Sequence, residues 1–197
     1  MHLEENVAVF KKILLALDGS ELARRALPYV SEIAREQGSE VYVLEVIDPL
    51  EVVRRELGDG AGDGEALGER AAALHRLQVD EAARELEAAR GELEAAGART
   101  VVTLIREGAP AAAIVDAATE LGCDAIAMGA RGHSGVARDR IGSVAEAVVL
   151  NAAGMAVLLV GPRRAGTHGP TVFGMRTISP PPEAAPEPPG APAPRRP

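Results

Sequence analysis

The chain has 197 residues, 29 acidic and 21 basic side chains, a net charge of −8 and a single cysteine. That length suits one domain of about 150 residues plus extensions; Cys123 has no partner for an internal disulfide, and no apolar run reaches the ~18 residues needed to span a bilayer. The last 36 residues hold five Arg and two acids, leaving −11 on residues 1–161, and so acidic a body repels the phosphate backbone of nucleic acid. The opening MHLEENVAVFKK places two acids before a short apolar patch and lacks the basic start and long apolar stretch of a leader, which predicts a cytoplasmic protein.

Residues 1–10 read as an N-terminal extension. Residues 13–17 (ILLAL) form a β-branched and Leu run that predicts a first strand, and 22–35 carry Leu22, Ala26, Tyr29, Val30 and Ile33 at helical spacing. A second strand follows at 40–47. From 65 to 96, Leu67, Ala71, Leu74, Ala82, Leu86, Ala89 and Leu93 make one apolar stripe on a long acidic helix that Gly97 stops. Strand 100–105, helix 109–121, strand 124–128, helix 142–151 and strand 155–160 complete the order. Strict alternation of strand and helix predicts an α/β fold, an open five-stranded, mainly parallel sheet with helices on both faces.

Residues 162–197 contain 11 of the 14 prolines, including Pro180-Pro181-Pro182, and too few apolar residues for a core. That composition predicts a disordered tail. The alternative is a proline-rich ligand for the aromatic-lined groove of a protein partner.

The most informative motif is Gly129-Ala130-Arg131-Gly132, nine residues, then Gly142-Ser143, a G-x-x-G-x9-G-S pattern between the fourth strand and its helix. Glycine lets backbone N–H groups approach phosphate oxygens, and a helix N-terminus adds unpaired donors and a positive dipole end. Ser143 would cap the helix or bond a ligand oxygen. The plain structural reading is a turn at Gly129 and Gly132 and a helix start at Gly142.

At these residues the chain resembles the universal stress protein family. Residues 128–160 (MGARGHSGVARDRIGSVAEAVVLNAAGMAVLLV) are similar to the family's ATP loop, helix and last strand. Lys12-Ile13-Leu14-Leu15-Ala16-Leu17-Asp18-Gly19-Ser20 resembles its first strand and acidic turn, 41–48 (VYVLEVID) its second strand, and Arg106-Glu107-Gly108-Ala109-Pro110 the turn after its third. The likeness covers residues 11–161. It implies a Rossmann-like fold of the adenine nucleotide alpha hydrolase type, with the crevice between the first and fourth strands. ATP, with Mg²⁺, would be held by Ala16, Asp18, Val46, Met128, Gly129, Arg131, Gly132, Gly142, Ser143 and Val144. Asp18 would be the metal ligand or bond a ribose hydroxyl; its plain alternative is a turn acid before Ser20. Backbone groups at Val46 would meet the adenine edge. The resemblance further implies a stress-response regulatory or protective protein and a homodimer paired through Ala156–Val160 as an edge strand; the alternative is that the tail beginning at Pro162 folds back over that edge, although proline's missing donor makes it a poor strand partner. Asp139, in place of an apolar residue, and Gly154-Met155, in place of a small residue and proline, depart from the family pattern.

Other chemistries are poorly supported. The stretch 58–64 (GDGAGDG) has the composition of a calcium loop without its spacing or final Glu. His133 and Ser134 adjoin on one loop and do not make a nucleophile and base. His2, His75 and His168 fall on a terminus, a polar helix face and the tail, which predicts no metal centre, and Cys123 reads as a small core residue. Neither G-x-G-x-x-G after the first strand nor Gly-Lys-Ser/Thr occurs, and Leu104-Ile105-Arg106-Glu107 closes the third strand without a phosphoacceptor Asp. No base-and-orienter arrangement accompanies Arg131, Arg138, Arg140, His133, Asp18 and Asp139. The expected activity is binding with at most weak ATPase; the alternatives are a slow ATP hydrolase or phosphotransferase, and a nucleotide-free interaction module.

Overall fold

The computed structural model describes residues 10–58, 64–131 and 141–161, and the backbone of 172–177. Five strands run parallel: β1 (Lys12–Leu17), β2 (Glu40–Ile47), β3 (Thr100–Glu107), β4 (Ala125–Gly129) and β5 (Ala156–Val160). A sixth, β6 (Val172–Thr177), lies antiparallel on β5, and the sheet order is β3-β2-β1-β4-β5-β6. The helices are α1 (Glu21–Arg24), α2 (Leu27–Gln37), α3 (Leu50–Glu56), α4 (Gly64–Ala95), α5 (Pro110–Leu121) and α6 (Ser143–Asn151). Among the described residues no helix is long and apolar enough to cross a membrane.

Alternation along β1 divides the core. Ile13, Leu15 and Leu17 face the layer holding α1, α2 and α4, with Val41, Val43, Leu86 and Leu93, while Leu14 and Ala16 face α5 and α6, with Ile114, Ile126 and Val148. Both faces are covered, as near-continuous apolar strands require. The chain winds outward from β1 to β3, then returns to β4 on the other side of β1, so the strand order reverses between β1 and β4. Side chains and loops at the carboxyl ends of these two strands therefore diverge and leave a crevice.

The structure departs from the sequence reading in four places. The helix expected over 22–35 is broken into α1 and α2, because Pro28 in the first turn of α2 has no N–H to offer the carbonyl of Arg24. The short helix α3 follows β2, and α4 packs against it as well as against the sheet; Leu74 of the expected stripe is 41% exposed. His75, expected on a polar helix face, is drawn partly out of solvent: its side chain is 16% exposed, with Nε2 3.2 Å from Glu107 Oε1.

The fourth departure concerns the edge. Ala156–Val160 is not an edge strand, because β6 registers against its outer side at Ala156↔Thr177, Val157↔Arg176, Leu158↔Met175 and Val160↔Val172. The tail is also not uniform in composition. Residues 171–179 are its longest proline-free stretch and hold Val172, Phe173, Met175 and Ile178, all of the tail's apolar residues larger than alanine. Proline lacks a ladder donor, so a strand can form in that window and not in the segments around it.

Candidate functional site

Three chain segments converge on the crevice. After β1, Gly19 turns at φ 73° and the Asp18 carboxylate accepts the Ser20 N–H at 3.0 Å. Ser20 Oγ in turn accepts the Ala23 N–H at 3.1 Å, which caps α1. So short a helix needs anchoring from outside. The Arg24 guanidinium donates to both Glu85 and Glu92 of α4, and the Glu85 hydrogen bond is the main reason its pKa lies above the ordinary arginine value.

The second segment leaves β4. Gly129 lies so close to α1 that a Cβ there would sit 3.1 Å from Ala23 Cα, 3.2 Å from Ala23 N and 3.0 Å from the Arg131 carbonyl oxygen. The chain passes through the buried Ala130, whose N–H donates to the Val160 carbonyl at 2.8 Å and whose carbonyl accepts the Gly142 N–H at 2.9 Å. Both ends of the 131–141 excursion are thereby tied to the sheet. Gly142 (φ −69°, ψ 154°) is the N-cap of α6 and, as glycine, has no side chain to accept from the first turn. Ser143 is the first helical residue and not the cap, so its expected capping role is corrected.

The third segment brings Val46 from β2 and Pro110 and Ile114 from α5. Together these enclose a cavity of about 300 Å³, at the lower end of the volume usual for small-molecule sites. Ala16, Asp18, Val46, Met128, Gly129, Arg131, Gly142, Ser143 and Val144 all line it. Gly132 lies outside the described residues, as do His2, His133, Ser134, Arg138, Asp139, Arg140, His168 and residues 59–63 of the glycine-rich loop. Sequence reasoning missed Leu17, Ala23, Pro110, Ile114 and Ala145 as lining residues. Ala23 and Pro110 were reachable by the rule that loops after the strand ends rim the crevice.

The lining is mostly apolar and includes the start of α6 and one carboxylate. Of the described lining residues only Asp18, Arg131 and Ser143 carry ionisable or hydroxyl groups. Asp18 and Val46 also border a second, polar cleft of about 760 Å³, whose other walls include Glu45, Asp48, Glu81 and Glu85. Among the described residues no group of three or more His, Cys, Asp or Glu side chains is placed to hold a metal ion. Cys123 is remote from the crevice and 7% exposed, and burial pushes its thiol up to about 11.

A mostly apolar lining with one guanidinium, one carboxylate and a helix start suits a ligand with an apolar part and an anionic part. A model of the universal stress protein family matches residues 10–160. The chain belongs to the universal stress protein family. It is 33% identical over 144 residues to universal stress protein MJ0531 of Methanocaldococcus jannaschii, covering 73% of this chain and 78% of the relative. It is also 33% identical to MJ0577 of the same organism, covering 72% of this chain and 89% of that one. The solved MJ0577 structure superposes with a TM-score of 0.67 over 80% of this chain and 99% of its own. A universal stress protein from Archaeoglobus fulgidus in complex with dAMP matches at 26% identity and a TM-score of 0.52, covering 77% of this chain and 98% of that one.

Proposed function

We propose that this family member binds ATP with Mg²⁺ in the crevice between β1 and β4 and acts as a stress-response regulatory or protective protein, not as a fast enzyme. The observation that carries the reading is the convergence of Ala16, Asp18 and Val46 from one half of the sheet with Met128, Gly129, Arg131, Gly142, Ser143 and Val144 from the other on a single cavity. The dAMP complex of the Archaeoglobus fulgidus relative supports an adenine nucleotide as the ligand class.

The residues present fit such a group. The cap of α6 is a glycine, which supplies no side-chain acceptor of its own, so the N–H groups and dipole of the first turn can serve phosphate oxygens. Gly142 leaves room for their approach, Arg131 adds positive charge, and Val46, Ile114 and Met128 offer apolar surface to a base. Mg²⁺ in nucleotide sites takes one or two protein carboxylates and fills its remaining positions with phosphate and water. Asp18 is the carboxylate that would hold it, and the ion would neutralise phosphate charge.

The test is direct. Protein purified without added nucleotide is analysed for bound ligand by mass spectrometry, then titrated with ATP, AMP and GTP by calorimetry. Binding of ATP in preference to GTP supports the reading; no bound or added nucleotide at millimolar concentration refutes it.

A further inference from the structure

Helix α1 and the turn before it form one hydrogen-bonded unit. The Asp18 carboxylate accepts the Ser20 N–H, Ser20 Oγ accepts the Ala23 N–H, and the Ser20 carbonyl accepts the Arg24 N–H at 3.2 Å. Residues 18–24 therefore shift together, and they carry two parts of the crevice, the Asp18 carboxylate and the Ala23 wall. The fit of that wall is tight. Ala23 stands so near β4 that a Cβ at Gly129 would come within 3.1 Å of its Cα, so a small displacement of α1 reshapes the cavity.

The anchor of this unit lies outside the crevice. The backbone of α1 packs on β1 and β4, and its tie to α4 is the Arg24 side chain, whose Nη1 and Nη2 donate to Glu85 and Glu92, 61 and 68 residues further along the chain. Those two carboxylates are about two helical turns apart, or about 10 Å along the axis, so they reach Arg24 from separate points on one face of α4. The planar fork of a guanidinium accommodates such a pair, whereas a lysine ammonium offers its donors at a single point. Arg25, the next residue, pairs locally with Glu21.

We propose that Arg24 is a positioning residue for the nucleotide: by bridging Glu85 and Glu92 it fixes α1 against α4, and so sets where Asp18 and Ala23 stand in the crevice. This role rests on the reading of the crevice as an ATP site, and it places part of the control of affinity on α4, none of whose residues is among the described lining of the cavity. Position and charge make opposite demands. Removing Arg24 makes the neighbourhood more negative and neutralising Glu85 and Glu92 makes it less so, yet either change severs the same tie. A role in position therefore weakens binding in both cases. A role in charge alone weakens binding of an anion in the first case and tightens it in the second.

Calorimetric titration of the full chain with Mg-ATP tests this, at a temperature where circular dichroism shows each variant folded. Arg24→Gln is expected to raise Kd on the order of tenfold, the lower end of what losing a supporting partner costs at a metal or catalytic site. Glu85→Gln combined with Glu92→Gln is expected to raise it likewise, and Arg24→Lys, which keeps the charge without the fork, should fall between wild type and Arg24→Gln. Tighter binding by the glutamate double variant overturns the proposal, as does a lowered Tm with unchanged affinity in both. Arg90→Gln is the control. It breaks pairs with Glu87 and Glu94 within α4 and removes the same charge, so it should leave Kd unchanged, and a rise equal to that of Arg24→Gln counts against positioning. A wild type that binds no nucleotide refutes the ATP reading itself, whereas a wild type that binds beside variants that bind as well overturns the role of Arg24 alone. Should Arg24→Gln fail to fold, the glutamate double variant and Arg24→Lys decide the question.

Discussion

Gly129→Ala is the sharpest perturbation of the crevice. The added Cβ would meet only backbone atoms, Ala23 Cα at 3.1 Å, Ala23 N at 3.2 Å and Arg131 O at 3.0 Å, so no side chain can swing away. Either α1 or the segment after β4 must move by a few tenths of an ångström. Overpacking of this kind costs about 1–3 kcal/mol, and the loss of unfolded-state freedom on replacing glycine returns about 0.4–1 kcal/mol. A net destabilisation of about 1–2 kcal/mol lowers Tm by about 2–8 °C for a domain of this size. Because Ala23, Gly129 and Arg131 all line the cavity, ATP affinity should fall about tenfold or more, equivalent to about 1.4 kcal/mol. Gly122→Ala is the control. Gly122 caps α5 at φ 65° with nothing within 4 Å of the new Cβ, so it strains the backbone at the opposite end of β4 and should cost about 1 kcal/mol of stability without touching affinity. Calorimetry on both variants separates the effects. Gly129→Ala with wild-type Tm and ATP affinity, or Gly122→Ala with equally weakened ATP, would refute the reasoning.

Asp18→Ala should weaken Mg-ATP more than ATP measured in EDTA, since a carboxylate that reaches the nucleotide through the ion has no role once the ion is gone; equal losses point to a ribose contact, and no loss leaves Asp18 with its Ser20 turn alone. Steady-state ATP hydrolysis should stay far below ~1 s⁻¹, the low end of ordinary enzyme rates, and a faster rate abolished by Asp18→Ala would make the protein an enzyme. Cys123 gives a pH test. Burial raises its pKa from 9.0 to about 11, so the folded chain keeps a proton that the unfolded chain releases, and its contribution, on the order of 2 kcal/mol, is complete below pH 9 and lost as pH rises towards 11. Urea midpoints at pH 8 and pH 10.5 should therefore drop further for the wild type than for Cys123→Ala, and parallel drops would show that the thiol is not held neutral by the fold.

The parallel sheet was legible because each of its strands is a short apolar run bounded by glycine or polar residues, a pattern that depends on the strand itself and its burial on two faces. The crevice was legible for a related reason. Asp18, Val46, Gly129 and Gly142 each follow or end an identifiable strand or begin a helix, so the carboxyl-end rule gathers them without knowledge of side-chain packing. What escaped depends on contacts between distant segments. Helix α3 has seven residues and rests on α4, and His75 is half-buried with Glu107 at the end of β3 beside it. The need for glycine at 129 comes from α1, more than a hundred residues earlier in the chain. Strand β6 was hidden by averaging, since its apolar window is nine residues inside a tail whose overall composition is that of a disordered segment.

The charge distribution explains how an acidic body can accommodate an anionic ligand. Residues 1–161 carry −11, and several of those carboxylates, Glu45, Asp48, Glu81 and Glu85, border the polar cleft next to the crevice. Among the described lining residues the one cation is Arg131, and the helix that starts beside it is capped by a glycine with no side chain of its own. Asp18 stands where these two regions meet, since it lines both. Arg24 pairs with Glu85 and Glu92, which offsets part of their negative charge and ties the helix that carries Ala23 to α4. A polyphosphate brought to this boundary faces repulsion from Asp18 unless a cation lies between them, because two like charges a few ångströms apart repel by several kcal/mol at the effective dielectric of a protein surface. On the proposed reading the same carboxylate would oppose the bare nucleotide and favour its magnesium complex, and the difference in Asp18→Ala affinity with and without the metal would measure that reversal.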